Sequence, residues 1–253
     1  MTARYLGHLE QPDPDQQHRQ LTHINSSRLV GRMLAGRTRE IKMNIFRYSS
    51  IFLTIFLVGC AVGNTYDYSQ ADIDLAVQGH SDLGLAVIDE RPYILSGDKK
   101  PDFIGLQRGG FGNPFNVTTE SGRPLAVEMA EAMTAELEEN GFRVFDLRVS
   151  ESGSEIIASA IHEAAKARNV ILIVKDWKTD AMMSFGLTYD LRLKVMDESA
   201  NLLAEAQTSG VKEKLGGAGF ESANSIAAAN AFSSKIGQLF NDPDVMRALA
   251  DTR

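Results

Sequence analysis

A short apolar run that ends at the only cysteine sets the strongest limit on what this chain can fold into. Arg47 precedes the run at residues 51–58, and the small residue Gly59 separates the run from Cys60. A basic residue, a short apolar segment and a small residue, in that order, are the layout of a secretory signal. The run is about half as long as the ~20 apolar residues that a membrane-spanning helix needs. The sequence therefore predicts a fold built from the residues after position 59, without an internal disulfide.

Residues 57–60, Leu-Val-Gly-Cys, resemble the lipobox of bacterial lipoproteins at every position. In that family the thiol receives a diacylglyceryl group, the chain is cut before the cysteine, and the new amino terminus is acylated. The resemblance implies a lipid anchor at Cys60, with more than the single acyl chain that binds membranes only marginally. Ala61 follows, and the lack of an aspartate there favours transfer to the outer membrane in lipoproteins. The alternative is a buried thiol at the end of a short core helix, since free cysteine is often buried.

Residues 1–42 have no sustained apolar period, and we expect a disordered extension or a mis-assigned start. The signal peptide is then residues 43–59, and the alternative is a genuine basic arm on the cytoplasmic side. From Cys60 onward the chain holds 18 Lys and Arg against 29 Asp and Glu, a net charge of −11. Such an acidic domain is poorly suited to nucleic acid, because phosphate binding needs a basic face.

The 194 residues from Cys60 onward have the size of one domain. Residues 60–81 are polar and small, and we expect a tether there. We expect an α/β domain over residues 82–253.

The first half of this domain alternates strands with amphipathic helices. Apolar or alternating runs predict strands at residues 83–88, 142–149 and 170–174. Helices begin at Pro124 and near Ser154, between these strands. This order predicts right-handed crossovers and a parallel core.

The second half changes to an antiparallel pattern. Residues 187–195 alternate apolar and polar side chains, and residues 202–214 form the next strand after a turn. An alanine-rich helix over 221–240 closes the domain, and a short helix starts near Pro243. The predicted class is a single α/β domain with a mixed sheet, a parallel βαβαβ first half, an antiparallel meander in the second half and a closing C-terminal helix.

This order of elements, with Asp89-Glu90-Arg91 at the end of the first strand, resembles the YajG-type bacterial lipoproteins. The matching helix region is residues 125–141, and the resemblance covers most of residues 83–240. It implies an envelope protein with no established active site to carry over. This chain departs from the family in a long insertion at residues 93–119.

The insertion is the predicted partner-binding loop. A junction between a strand and a helix usually takes a few residues, and this longer one is unusually apolar. The candidate contact residues are Phe103, Leu106, Arg108, Phe111 and Phe115. Two interpretations stay open, because the loop either packs on its own domain or presents a surface to an envelope protein.

The sequence offers no strong nucleotide or metal motif. The glycine-rich residues 108–114 lack the Gly-Lys-Ser or Gly-Lys-Thr of a phosphate loop. His80 and His162 are the only histidines after Cys60, so the sequence predicts neither a zinc site nor a cofactor.

Carboxylates near strand ends are the remaining chemical candidates, since the sites of α/β proteins form there. These are Asp89, Glu90, Asp176 and Asp180. A concave cluster of Asp89, Asp176 and Asp180 would favour a hydrolase.

Together these features predict a non-enzymatic, palmitate-bearing lipoprotein, held on the periplasmic face of the outer membrane through Cys60. The predicted role is binding or scaffolding in the envelope, with a protein partner and without nucleic acid. The alternatives are an auxiliary lipoprotein of an envelope lipid or solute transport system and, in another class, a hydrolase that uses strand-end carboxylates.

Overall fold

The computed structural model describes residues 63–69, 71–149 and 151–250. Cys60, the signal peptide and the extension predicted before position 43 lie outside the described residues. The strands of the described part are β1 (Thr65–Tyr66), β2 (Asp82–Asp89), β3 (Phe103–Arg108), β4 (Pro114–Thr119), β5 (Arg143–Asp146), β6 (Arg168–Ala181), β7 (Ser184–Asp197) and β8 (Leu202–Gly217). Its helices are α1 (Pro92–Leu95), α2 (Leu125–Glu139), α3 (Ser154–Ala164), α4 (Glu221–Phe240) and α5 (Pro243–Ala250).

One mixed sheet contains all the described strands, as the sequence predicts. β2 pairs in parallel with β5 and with β6, so the βαβαβ first half is confirmed. β6, β7 and β8 form an antiparallel meander, and α4 closes the domain against β8 and β7. The predicted fold class is therefore confirmed in both halves.

β6 organises the sheet because it borders two different strands along one edge. β7 occupies the other edge of β6 along its whole length. The first half of β6 pairs with β2, up to Asp89 opposite Val174. The second half pairs with β3, starting at Gly105 opposite Thr179. The sheet therefore forks between these two pairings, where β2 ends and β3 begins.

β6 runs well past its predicted end at Val174. Polar Lys175 and Asp176 interrupt the apolar run, which is why the pattern suggested a short strand. A bulge between Val174 and Asp176 shifts the alternation of side chains, and Trp177 consequently returns to the core with no exposed surface.

Helices cover both faces of the sheet. α2, α4 and α5 pack on one face in the larger core, which includes Trp177 and Phe232. α3 packs on the other face, where Ile157 and Ile161 belong to a smaller core with Ile171. On this second face β7 and β8 carry polar side chains, as their alternation predicts.

The structure corrects the predicted tether, because its described part is packed onto the domain. Residues 71–79, which we call the strap, run past the C-terminal ends of α2 and α4. The Ile73 N–H donates to the Glu136 carboxylate at 3.3 Å, and the Ala76 N–H donates to the Asn241 side chain at 2.8 Å. Polar residues alternate here with apolar ones, so the average composition hid the buried side. Across the described part of the predicted tether, the buried side chains are Tyr66, Tyr68, Ile73, Leu75 and Val77.

The insertion at residues 93–119 is also different from the expected irregular loop. It contains most of α1 and a β-hairpin, β3–β4, in which Arg108 pairs with Pro114. The glycines that suggested irregular structure are concentrated in the hairpin turn. Gly105 lies within β3 itself, where a Cβ atom would collide with the Thr179 hydroxyl of the neighbouring strand.

Candidate binding sites

The five candidate contact residues of the insertion lie in different environments. Phe103 is only 2% exposed and belongs to the interior, so the proposed surface role is wrong for this residue. Leu106, Arg108 and Phe115 are partly buried on the hairpin. Phe111, at the hairpin turn, is 99% exposed. A partner could therefore reach Phe111 freely and Phe103 not at all.

Arg108 has a partner inside the domain. Its guanidinium donates hydrogen bonds to both carboxylate oxygens of Asp180, at 2.8 and 2.7 Å. The hydrogen bonds and charge of Asp180 raise the pKa of Arg108 above its ordinary value. This pair fastens the end of β3 to the end of β6 beside the hairpin turn.

Arg91 fills the fork of the sheet and is completely buried. It donates to both oxygens of the Asp89 carboxylate, at 2.8 and 2.7 Å, and to the Pro101 carbonyl oxygen at 3.1 Å. It also donates to the carbonyl oxygen of Phe103, the first residue of β3. Burial lowers the pKa of Arg91, but the bonds and charge of Asp89 outweigh it, so the pKa lies above the ordinary value. The Asp-x-Arg motif therefore joins the end of β2 to the start of β3.

The strand-end carboxylates are engaged separately. Their partners are the Arg91 guanidinium for Asp89, the Tyr93 hydroxyl for Asp176 and the Arg108 guanidinium for Asp180. These three residues consequently do not form the shared acidic cluster that the hydrolase alternative requires. Within the described ranges, no group of three or more His, Cys, Asp or Glu side chains could hold a metal ion.

A buried carboxyl group connects α2 to the segment that follows β1. Glu128 is 1% exposed and accepts hydrogen bonds from the Ser121 hydroxyl at 2.6 Å and the Tyr68 N–H at 3.2 Å. Burial raises the pKa of Glu128, and these two bonds offset only part of the rise. The hydroxyl of Tyr68 in turn accepts from the Trp177 ring N–H at 3.0 Å. This network has internal partners and serves to hold the segment in place.

An apolar groove with a volume of about 860 Å³ lies between α2 and the second half of β2. Small side chains on α2 leave this space open above the strand. The lining includes Leu85, Ala86 and Val87 from β2, Ala126, Val127 and Ala130 from α2, and Arg148 and Val149 from the segment after β5.

At the base of the groove, one edge of β2 lacks a neighbouring strand. β5 pairs with β2 only up to Asp146 opposite Leu85, and Leu147 N–H then donates to the Leu85 carbonyl at 2.9 Å. Arg148 has a φ of 54°, so the chain turns away from β2 at this point. Alternate residues of a strand direct their backbone groups to the same edge. Val87 therefore directs its N–H and C=O along this edge, where the described residues supply no backbone partner.

The sequence analysis did not single out the groove. A signal was present in α2, where Ala126, Ala130 and Thr134 follow one another at helical spacing beside the apolar stripe. Small residues on a face next to the core indicate either close helix packing or an open space. Only the short length of β5 decides between them.

Comparisons with known proteins give similarities of limited extent. No family model matches the sequence, and no curated protein matches it. A DUF330 protein from Xanthomonas campestris is 14% identical, with a TM-score of 0.42 over 70% of this chain and 88% of that one. A lipoprotein from Neisseria meningitidis is 15% identical, with a TM-score of 0.37 over 63% and 97%. A PelC dodecamer from Paraburkholderia phytofirmans is 9% identical, with a TM-score of 0.36 over 66% and 93%.

All three TM-scores are below 0.5. In the part of the chain that the structure describes, none of the helices combines the length and the apolar character needed to cross a membrane.

Proposed function

We propose that this protein is a non-catalytic lipoprotein of the bacterial cell envelope, held on the periplasmic face of the outer membrane by acyl chains on Cys60. The lipobox at residues 57–60 and the absence of an aspartate after Cys60 support the anchor. In this proposal the domain binds an extended segment of an envelope protein. The binding site is the groove between α2 and β2.

The free edge of β2 carries the proposal. An extended peptide that adds to a sheet edge gains main-chain hydrogen bonds, and pockets for its alternate side chains give specificity. Val87 supplies an unpaired backbone edge, and the groove supplies apolar walls on α2 next to it. A strand edge without a backbone partner is a template for pairing with another chain. A partner segment would cover the edge and fill the apolar space in one step.

The charge of the groove rim indicates which segments fit. Four acidic residues, Asp89, Glu131, Glu138 and Asp146, line the groove together with one basic residue, Arg148. Asp89 and Glu131 are already paired with arginines, whereas Glu138 and Asp146 have no ion pair among the described residues. An extended apolar segment flanked by Lys or Arg therefore complements this site better than an acidic one.

A photo-crosslinking amino acid at Val127 tests the groove in intact cells. Val127 lines the groove and is 39% exposed, so the probe has room to point into the site. We expect an adduct to an envelope protein whose attached residues form one extended segment. The same probe at Ile226, which is 62% exposed on α4 and does not line the groove, is the matched control and should not give that adduct.

A second variant makes the result specific to the groove. Ala130→Phe fills the space beside β2 and should abolish the adduct from position 127 while the melting temperature stays close to that of the wild type. An adduct that persists in Ala130→Phe, or that forms equally from position 226, would rule out binding in the groove.

The anchor has its own test. Labelled palmitate should enter the wild-type protein and should not enter Cys60→Ala, which should remain as uncut precursor. Incorporation of the label into Cys60→Ala would show that the anchor is elsewhere. Because this test does not depend on the groove, the two parts of the proposal fail separately.

A further inference from the structure

Large apolar side chains are exposed in three turns of the domain. Phe111 is 99% exposed in the turn between β3 and β4. Met182 and Met183, between β6 and β7, are 47% and 87% exposed. Phe220, between β8 and α4, is 89% exposed. Such side chains are usually scattered singly on a surface, so several in adjacent turns require an explanation.

The three turns lie side by side at one end of the sheet. β3 and β6 run in parallel and end together, with Gln107 opposite Ala181. β7 begins at the same level, with Phe185 opposite Ala181, and β8 ends beside it, with Gly216 opposite Phe185. The four exposed side chains therefore share this end of the sheet, which we call the tip.

The amino-terminal part of the described chain approaches the domain from the tip. β1 is parallel to β4, so moving backward from Thr65 leads toward the hairpin turn, where β4 begins. Gly63 lies so close to Asn116 that a Cβ atom would collide with the Asn116 carbonyl oxygen. Asn64 donates to the Gln107 side chain at 3.4 Å. The Thr65 N–H donates to the Glu221 carboxylate at 2.8 Å, next to Phe220.

Very little chain separates this point from the lipobox cysteine. Cys60 is three residues before Gly63. Three extended residues span at most about 10 Å, at roughly 3.3–3.6 Å per residue. The packing of β1 and the strap removes the long tether that the sequence suggested. Acyl chains on Cys60 would consequently hold the tip within about 10 Å of the lipid surface.

We propose that the tip inserts into the interface of the lipid bilayer, with Phe111, Met182, Met183 and Phe220 among the headgroups and upper acyl chains. This inference rests on the proposed lipid anchor at Cys60. Apolar side chains in the interface leave water, and the anchor makes their insertion an intramolecular event with a high effective concentration. The lipid bilayer then covers the apolar side chains of all three turns at the same time.

The charges at the tip are compatible with lipid headgroups. The nearest carboxylates have partners in the domain, since Asp180 is paired with Arg108 and Glu221 accepts the Thr65 N–H. Lys214 is exposed on β8, opposite Gly186 and close to the β6–β7 turn. A lysine at this level is attracted to anionic lipid. The net negative charge of the domain is carried by the rest of its surface.

A nitroxide spin label at position 111 tests this orientation in the full-length lipidated protein. The protein is placed in vesicles of phosphatidylethanolamine and phosphatidylglycerol, and Phe111→Cys supplies the labelling site. Cys60 is the only natural cysteine, so its acylation leaves one reactive thiol. Phe111 is fully exposed, so the variant should keep the wild-type melting temperature. We expect the label to collide several-fold more often with oxygen than with a water-soluble nickel complex, relative to the control.

Leu202→Cys provides the matched control. Leu202 is 52% exposed at the start of β8, at the opposite end of the sheet from the tip. β7 is 14 residues long, which places the two ends about 45 Å apart. The label there should remain accessible to the nickel complex, because it stays in water.

Each other outcome overturns the inference in a recognisable way. Equal nickel accessibility at both positions of a fully acylated sample would show that the tip stays in water, and the anchor proposal would stand. Spin–spin broadening at position 111 would show that a second copy covers the tip instead of lipid. Labelling of Cys60 in the wild-type protein would show that the thiol is free, and both the anchor and the inserted tip would be wrong.

Discussion

Arg91 shows how much of this fold depends on a single side chain. It lies at the centre of the fork with no exposed surface, and Asp89 is its counter-charge. Replacing Asp89 by Asn would leave the buried guanidinium without a counter-charge. We expect Asp89→Asn to lower the free energy of unfolding by about 3–5 kcal/mol, measured by urea denaturation.

An exposed ion pair gives the comparison for this prediction. Arg123 and Glu131 are paired with side chains that are 44% and 46% exposed. Arg123→Ala should leave the free energy of unfolding close to that of the wild type, because exposed pairs contribute little. If Asp89→Asn were as mild as Arg123→Ala, the buried pair would not hold the fork together.

Glu128 predicts a pH dependence with a defined sign. Burial raises its pKa in the folded state above the ordinary value of about 4.3. Between these two values the folded state binds more protons than the unfolded state, so this group lowers stability as the pH rises. Glu128→Gln removes the titration and retains an acceptor for one of the two hydrogen bonds. We expect the stability of the wild type relative to the variant to fall as the pH is raised from about 4 to 7.

Urea denaturation of both proteins at several pH values measures this difference. Other carboxylates titrate equally in both proteins, and their contributions cancel in the comparison. A constant difference across the range would show that Glu128 is solvated as an ordinary carboxylate, and a difference of the opposite slope would show that its folded pKa is lowered.

Among the elements, the β3–β4 hairpin contains a buried phenylalanine and an exposed one within a few residues of each other. Phe103 is a core residue at the start of β3, and Phe111 is at the turn. We expect Phe103→Ala to lower the free energy of unfolding by about 3–5 kcal/mol. Phe111→Ala should stay within about 0.5 kcal/mol of the wild type. Thermal melting of both variants measures this contrast, and a large loss in Phe111→Ala would mean that its side chain is covered.

The elements that the sequence predicts well are those with an unbroken apolar period. β7 alternates without interruption, and α4 has the predicted bounds, 221–240. Prediction failed where the stabilising partner is distant in sequence. β1 has two residues, and it is a strand only because Thr65 pairs with Thr118. The packing of the strap was not predicted for the same reason, since its apolar residues pack against helices that are far from it in sequence.

The candidate groove could not have been predicted from any single element. It exists because β5 is shorter than β2, and this relation between two strands has no counterpart in a local pattern. The Asp-x-Arg motif was visible in the sequence, but its role depends on where β3 starts alongside β6. The exposed position of Phe111 agrees with its place among the candidate contact residues, whereas the buried position of Phe103 does not.

At the scale of the whole molecule, the strap and β1 belong to the folded domain. A chain that starts at Asp82, the boundary suggested by composition, would lack five buried large side chains. Each contributes about 1.5–3 kcal/mol, which together rivals the ~5–15 kcal/mol that stabilises a typical domain. We expect the chain from Asp82 to lack a cooperative thermal transition and the chain from Gly63 to have one. Circular dichroism during heating distinguishes them, and equal transitions would show that the strap is dispensable.

The parallel pairing of β1 with β4 also determines how the domain responds to mechanical load. A force that pulls Gly63 along the axis of β1 acts on the β1–β4 hydrogen bonds in shear, so they bear the load together and do not open one by one. Tyr66 and Tyr68 follow directly and are fully buried, so unfolding from this end requires both rings to leave the core. Tension applied at Gly63 is therefore transmitted directly to the core of the domain.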